Sequence, residues 1–321
     1  MGKTVGLSAR CGIILAAGEG KRLRPLIYRL RGDTLPKQYM NFTGRFSMLE
    51  QTFHRAERLS RKERIFAVIS QNHLKYREVV AQLSSRPENT VVLQPENKET
   101  APGLLLPLMY LQKYWPESTV AVFPSDHFIV EEDLFMKHVE EAYAWVEDDP
   151  SRLVILGVEP RGPEPDYGYI VPRLATPRSF SACALEVSRF IEKPEPLLAR
   201  KLVLEGGLWN TMVFAARTSC LLERIQRIIP SLFRPFQRIG QAIGTPAEME
   251  VIKEVYKEIE TVNFSSRVLQ ALSIEEPHSL WVLPVKGVTW NDWGTEARIR
   301  TSLQLNWIGR DAPVCERSSL N

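Results

Sequence analysis

"GIILAAGEGKRLRPL", Gly12 to Leu26, is the stretch on which the reading of this chain turns. An apolar, isoleucine-rich run stops at glycines, and a cluster of cations follows at once. Such a junction fits the apolar core of a signal peptide, the start of a dinucleotide-binding unit, a P-loop, or another anion-binding turn. For a signal peptide, Lys3 and Arg10 would precede the run and Ala16-Ala17-Gly18 would supply the cleavage site. However, Cys11 to Ala17 lies at the short end of the roughly 7–15 residues such cores need, and its β-branched side chains suit a strand. N-myristoylation needs Ser or Thr at position 6, where Gly6 stands. The dinucleotide fingerprint fails because Leu23 fills its third glycine position, and Walker A fails because Arg22 follows Gly20-Lys21. What remains is a turn in which Gly18 and Gly20 let backbone N–H groups approach an anion. Lys21, Arg22 and Arg24 stand beside it, with Arg29, Arg31 and Lys37 following. A solvated cationic face is the plainer alternative.

Outward from this turn, apolar runs alternate with helical patterns. Gly12–Ala16, Ile65–Ser70, Thr90–Gln94, Thr119–Phe123 and Leu153–Val158 read as buried strands. Ser47–Leu59, Leu74–Leu83, Ala101–Tyr114 and Glu132–Glu147 read as helices; Ser47 and Glu50 form a capping box, and Glu131, Glu132 and Asp133 favour a helix start. Alternation of this kind implies parallel strands with crossover helices, an open α/β sheet. Later, Tyr167–Pro172, Ala182–Glu192, Trp209–Ala216 and Leu280–Val285 read as strands, the first three without long helices between them and so as antiparallel additions. A helical stretch from Ser219 to about Glu260 is expected to break at Pro230, Pro235 and Pro246.

The 321 residues suffice for one large domain or two modest ones. A net charge of +3 is too small to point to nucleic acid or a membrane surface, and no apolar run approaches the roughly 20 residues of a membrane span. Cys11, Cys183, Cys220 and Cys315 have no paired or metal-type spacing, which suits reduced thiols in a cytoplasmic protein. The five histidines add no zinc pattern, and there is no G-x-S-x-G elbow. Neither an internal repeat nor a hexapeptide repeat for an appended β-helix is present.

Ligands of open α/β sheets bind beyond the carboxyl ends of the strands, and several motifs lie at such ends. "LPKQY" (Leu35–Tyr39) returns Lys37 toward the first turn, and "QPENKETAPG" (Gln94–Gly103) follows a strand. "FPSDHF" (Phe123–Phe128) places Asp126 past another strand end. "FIEKP" (Phe190–Pro194), "WNTMVF" (Trp209–Phe214) and "TWNDWG" (Thr289–Gly294) complete the series. Each has a plainer reading: Asp126 as a turn or cap residue, Asp292 as a turn aspartate, Glu192-Lys193 as a strand-end charge pair, Thr100 as an N-cap. His127 reads as a packed neighbour of Asp126, and Trp209, Trp290 and Trp293 as core.

In order and spacing these segments resemble the sugar-1-phosphate nucleotidyltransferases, most closely the mannose-1-phosphate guanylyltransferase (GDP-mannose pyrophosphorylase) branch, from about Cys11 to Thr295. "LAAGEGKRLRPL" matches the signature loop; "PKQY" and "TAP" point to the guanylyl branch; "PSDH", "FIEKP" and "WN" belong to the wider superfamily. The resemblance implies a Rossmann-like, three-layer α/β fold with an open mixed sheet. It implies a single nucleotidyltransferase domain over 1–321, with a nucleotide-binding half at 10–165, a sugar-phosphate half at 166–300, a tail at 301–321 and no C-terminal β-helix.

The implied reaction is attack of a sugar-phosphate oxygen on the α-phosphorus of a nucleoside triphosphate, GTP above all, releasing pyrophosphate. Arg22 and Lys37 would be catalytic, suited respectively to bridging phosphate oxygens and to neutralising charge. Leu15, Ala16, Ala17, Gly18, Glu19, Gly20 and Lys21, with Gln94, Thr100, Ala101, Pro102 and Ser125, would hold the nucleotide. Asp126 and Asp292 would ligate Mg²⁺, their convergence coming from the resemblance alone. Gly168, Glu192, Lys193 and Asn210 would receive the sugar phosphate. The implied partners are small molecules, with a homodimer compatible and no nucleic acid or membrane.

Three departures concern the sugar side. "TVNFSSRVL" (Thr261–Leu269) stands where the branch usually reads S-I-D-Y-A-V-M-E, so Asn263 replaces an acid and Arg267 adds a cation. Thr211 and Met212 replace the serine and glycine of W-N-S-G-I-F, and Gly103 replaces an alanine after "TAP". The reading therefore keeps two alternatives: another sugar 1-phosphate and nucleotide pair, or a non-catalytic homologue that senses nucleotide sugar.

Overall fold

A computed structural model of the chain describes residues 8–173 and 184–307. The opening apolar run forms β1 (Arg10–Leu15), and the cationic turn leads into α1 (Arg24–Arg31). There follow α2 (Met48–Glu57), β2 (Ile65–Ser70), α3 (Arg77–Leu83), β3 (Val91–Gln94) and α4 (Thr100–Tyr114). Next come β4 (Thr119–Pro124), the short β5 (Phe128–Ile129), α5 (Glu132–Asp148) and β6 (Leu153–Val158). The second half supplies β7 (Tyr169–Pro172), β8 (Leu185–Ile191), α6 (Pro196–Leu204), β9 (Leu208–Arg217), α7 (Thr218–Ile228), α8 (Pro230–Ala242) and α9 (Glu248–Glu258). α10 (Gln270–Glu275), β10 (Leu280–Val285), β11 (Trp290–Asn291) and α11 (Glu296–Trp307) complete it.

Nine strands form one mixed sheet in the order β3-β2-β1-β4-β9-β6-β10-β8-β7. β1, β2, β3 and β4 are parallel, as are β6 and β10. β9 runs antiparallel between β4 and β6, stitching the second half of the sequence into the first. Alternate side chains divide between two cores, as a sheet covered on both faces requires. Cys11, Ile13, Val120, Val122 and Ile155 pack on the side of α4 and α7 to α9. Ile14, Ala121, Phe123, Val154 and Leu156 face α2 and α5. The expected three-layer open mixed sheet is the fold found.

Several expectations need correction. Pro235 does not break α8: the N–H it lacks would have reached the first turn, and burial of Leu232, Phe233, Phe236 and Ile239 outweighs that loss. Leu74–Leu83 is divided, with a 3₁₀ turn at Gln71–Lys75 and α3 starting only at Arg77. Between β8 and β9, where no long helix was expected, stands the nine-residue α6. The first residues of the supposed tail, from position 301, continue α11. Ala182 and Cys183, expected to open the strand before Glu192, and Cys315 lie outside the described residues. The Ser47–Glu50 capping box is present as expected.

Gly157 in β6 is a point where this sheet tolerates no side chain. A Cβ there would meet Val282 Cγ2 at 2.9 Å and Leu208 Cβ and Cδ1 at 3.0 Å, all within the packed core. Gly157→Ala is expected to destabilise the chain by about 1–3 kcal/mol in urea unfolding; an unchanged midpoint would mean that β6, β9 and β10 separate more easily than their packing suggests.

Candidate active site

The carboxyl ends of β1, β3 and β4 and the residues Gly168, Glu192 and Asn210, next to the points where Tyr169 of β7 pairs with Ile191 of β8 and Trp209 of β9, frame one cleft of about 540 Å³. Its first wall is the loop after β1. Gly20 takes the left-handed conformation there (φ 56°), which lets the chain turn into the 3₁₀ turn Lys21–Leu23 and then α1. Gly18 meets no steric demand from the protein, since a Cβ there would face open space. The loop is pinned from behind by "KQY", itself a buried 3₁₀ turn. Gln38 Nε2 donates to the carbonyls of Ala16 (2.8 Å) and Gly18 (2.9 Å), and the Tyr39 hydroxyl bonds His73 Nδ1 at 3.0 Å. Glu19 turns away to pair with Arg24 and His73.

Lys37 stands at the centre, with only 7% of its surface exposed. Its ammonium meets Asp126 Oδ2 at 3.0 Å and donates to the carbonyls of Asp292 (2.6 Å) and Trp293 (3.2 Å). The ribbon β5–β11 makes this possible: Phe128 pairs with Asn291 and Ile129 with Trp290, so the residues just outside each strand come together. Asp126 and Asp292, 166 positions apart in the chain, thus converge on one cation. Burial opposes the charge of Asp292, yet Lys37, Tyr167, Arg298 and the Gly294 amide together hold its carboxyl below the usual carboxylate range. His127 is buried against Trp290, and burial pushes its imidazole down to about 4. It is therefore neutral packing at neutral pH, as the sequence reading expected.

Another wall is built by Gln94 and the start of α4. Tyr256 donates to Gln94 Oε1 at 3.4 Å, and Thr100 Oγ1 accepts from the Phe264 amide at 2.8 Å. Thr100 is the first helical residue and Glu99, in a left-handed conformation (φ 70°), is the cap, so Thr100 is not an N-cap. At the opposite end Gly168 is a point of close approach: a Cβ would lie 2.6 Å from Glu192 Oε2 and 3.3 Å from Asn210 Cβ. Asn210 Oδ1 accepts from the Met212 amide at 2.8 Å, leaving Nδ2 only a 3.5 Å contact with Ser265 and a 4.0 Å one with Met212 Sδ. Asn263 caps the π turn that follows it, accepting from the Ser266 amide at 3.0 Å. An aspartate would accept that bond equally well, so the substitution preserves the local fold.

Of the residues singled out from sequence, the cleft is lined by Leu15, Ala17, Gly18, Gly20, Lys21, Arg22, Lys37, Gln94, Thr100, Asp126, Gly168, Glu192, Lys193, Asn210 and Asp292. Ala16, Glu19, Ala101, Pro102 and Ser125 stand behind its surface; the Ser125 amide, for instance, donates to the Leu15 carbonyl at 3.2 Å. Sequence reasoning missed Asp166 and Tyr167, which line the cleft from the segment before β7, and Arg298 of α11, which stands behind it on the Asp292 carboxylate. It also missed Gln38, whose signal was present inside "PKQY".

Burial raises the Glu192 carboxyl above the carboxylate range; Lys193 offsets this in part and Glu99 adds to it. A raised carboxyl binds its proton more tightly in the folded chain, so this group's contribution to stability is present at low pH and is lost as pH rises through the folded pKa. Glu192→Gln is therefore expected to melt higher than the parent at pH 8, with the gap closing toward pH 4. A constant gap would show that charge burial is not its cause.

Similarity to known proteins agrees with this geometry. The nucleotidyl transferase family profile matches residues 11–301. The mannose-1-phosphate guanylyltransferase of Escherichia coli strain K12 is 30% identical over 234 residues, covering 72% of this chain and 48% of that protein. The xanthan biosynthesis protein XanB of Xanthomonas campestris pv. campestris strain B100 is 31% identical over 221 residues, 68% of this chain and 44% of that one. The chain thus spans about half the length of the curated relatives it matches. A crystal structure titled as a mannose-1-phosphate geranyltransferase from Thermus thermophilus superposes with a TM-score of 0.72 at 24% identity, covering 89% of this chain and 76% of that one, and so shares the fold. Because the family match begins inside β1 and ends inside α11, taking in the loop, Lys37 and both aspartates, the chain belongs to the nucleotidyl transferase family.

Proposed function

We propose that the chain transfers a nucleotidyl group from a nucleoside triphosphate to a sugar 1-phosphate, with GTP and mannose 1-phosphate as the pair. An oxygen of the sugar phosphate forms a bond to the α-phosphorus, the bond from that phosphorus to the β-bridging oxygen breaks, and pyrophosphate leaves with the electron pair. The observation that carries this reading is the position of the Lys37 ammonium. It lies between Asp126 and Asp292, where the loop after β1 meets the Glu192–Asn210 end of the cleft. Phosphoryl chemistry of this kind asks mainly for alignment and charge neutralisation. The loop amides and Lys21 suit the triphosphate, Arg22 suits its oxygens as a planar fork, and Lys37 answers charge that builds at the reacting phosphorus. Asn210 Nδ2 and Glu192 suit sugar hydroxyls, and Lys193 suits the sugar phosphate. The names of the relatives support the guanylyl and mannosyl choice.

Asp126 and Asp292 fit a divalent cation of the Mg²⁺ type: their donors are hard carboxylate oxygens. Among the described residues no three His, Cys, Asp or Glu side chains gather, so phosphate and water would complete the shell. Bound there, such a cation would polarise the α-phosphate and align the two phosphates.

Pyrophosphate release by the purified chain, with Mg²⁺ and each of GTP, ATP, UTP, CTP and dTTP against mannose 1-phosphate and glucose 1-phosphate, tests the proposal. GTP with mannose 1-phosphate is expected to be fastest, and Asp126→Asn to slow it by about 10²-fold or more, with a lower melting temperature because the buried Lys37 ammonium loses its carboxylate partner. Wild-type rates in that variant at saturating Mg²⁺ would remove the cation assignment. Another preferred pair would move the specificity, and silence with every pair beside tight GDP-mannose binding would make the chain a sensor. Lys193→Ala is expected to raise KM for the sugar phosphate about tenfold while KM for the triphosphate stays within about twofold; equal rises would erase the division of the cleft.

A further inference from the structure

Asp292 is already engaged. Arg298 Nη1 lies 3.0 and 3.2 Å from its two carboxylate oxygens, and the Tyr167 hydroxyl donates to Oδ1 at 2.7 Å. The other arm of Arg298 bonds Glu164 Oε2 at 2.7 Å and stands 3.8 Å from Asp166 Oδ2. That same Asp166 oxygen accepts from Arg22 Nη1 at 2.8 Å. One carboxylate is therefore shared between a cation of the phosphate loop and the cation seated on Asp292. The two guanidinia differ in freedom: the Arg22 side chain is 55% exposed and that of Arg298 only 14%. Arg298 is also held in its plane over the Tyr167 ring, 4.5 Å from the centroid.

Hydrogen bonds to both oxygens occupy lone pairs that an oxygen-liganded cation needs. Arg298 and a metal thus compete for Asp292. We infer that Arg298 is a positioning residue that withholds Asp292 from the divalent cation until a triphosphate binds. The triphosphate draws the exposed Arg22 away from Asp166. Asp166, having lost its nearer partner, draws Arg298 toward itself and releases Asp292. Arg22, Asp166 and Arg298 thereby couple occupancy of the loop to readiness of the cation site. This inference rests on the reading of Asp126 and Asp292 as cation ligands.

The test uses the nucleotide-free full chain and Mn²⁺ as the probe, with free Mn²⁺ followed by electron paramagnetic resonance. Arg298→Gln is expected to bind Mn²⁺ roughly tenfold tighter than the parent, with Arg298→Lys in between. Arg22→Gln, which imitates departure of the loop cation, is expected to tighten Mn²⁺ by about threefold or more, and Asp166→Asn in that background to return it to the parental value. Lys21→Gln removes a cation from the same wall without touching Asp166 and is expected to change little. A parental affinity in Arg298→Gln and Arg22→Gln, or an equal gain in Lys21→Gln, overturns the coupling. If Arg298→Gln does not fold, Arg22→Gln and Arg298→Lys decide. Mn²⁺ binding that survives Asp126→Asn, or is absent from every variant, instead removes the cation reading beneath it.

Discussion

A buried ammonium tolerates few surroundings. Lys37 has lost nearly all its water, and in that setting a charge persists only if oxygens replace the hydration shell. Its replacements are the Asp126 carboxylate and two consecutive carbonyls, of Asp292 and Trp293. Those carbonyls can point inward because Trp293 adopts a left-handed backbone conformation (φ 45°). The Trp293 ring is stacked on Phe128 at 4.4 Å and meets Phe42 edge-on at 5.4 Å. The turn that carries Lys37 also carries Gln38, which closes the loop after β1. The loop after β1, the two aspartates and the small ribbon between them are thus held by one desolvated charge.

Strain gathers at the same place. Glu99, Lys193 and Met212 adopt positive φ and line the cleft, and Trp293 adjoins it; Asn89 is the other non-glycine residue in this state among those described. Each costs on the order of 1–2 kcal/mol. Met212, which stands where the pattern the chain resembles has a glycine, keeps a backbone conformation that favours glycine. The thioether stands 3.4 Å from Ser265 Oγ at the Glu192–Asn210 end of the cleft, filling space that a glycine would leave open. The acceptor end departs most from the pattern, and the loop end least.

The chemistry of individual segments was legible without coordinates wherever it depends on local backbone. The turn after β1, the capping box at Ser47 and the strand-end position of Asp126 follow from glycine, cap and apolar patterns a few residues long. Pro235 shows the limit of such reasoning: a local breaker rule lost to the apolar face of α8, which only the assembled core rewards. The same holds for Arg298. Nothing in "GTEARIR" marks the residue that grips Asp292, because the partners of Arg298, namely Glu164, Asp166 and Asp292, lie outside α11.

The sequence by itself determined the α/β class, the glycine turn after β1 and the list of charged groups at strand ends, since each depends on residues adjacent in the chain or spaced by a helical or strand period. Tertiary structure alone decided which of those groups meet. The antiparallel insertion of β9 between β4 and β6 brings Asn210 to the same cleft as the loop after β1, and the β5–β11 pairing brings Asp292 to Asp126. Pairings between segments so distant in sequence are chosen by burial and backbone hydrogen bonding over the whole chain, and no local pattern encodes them.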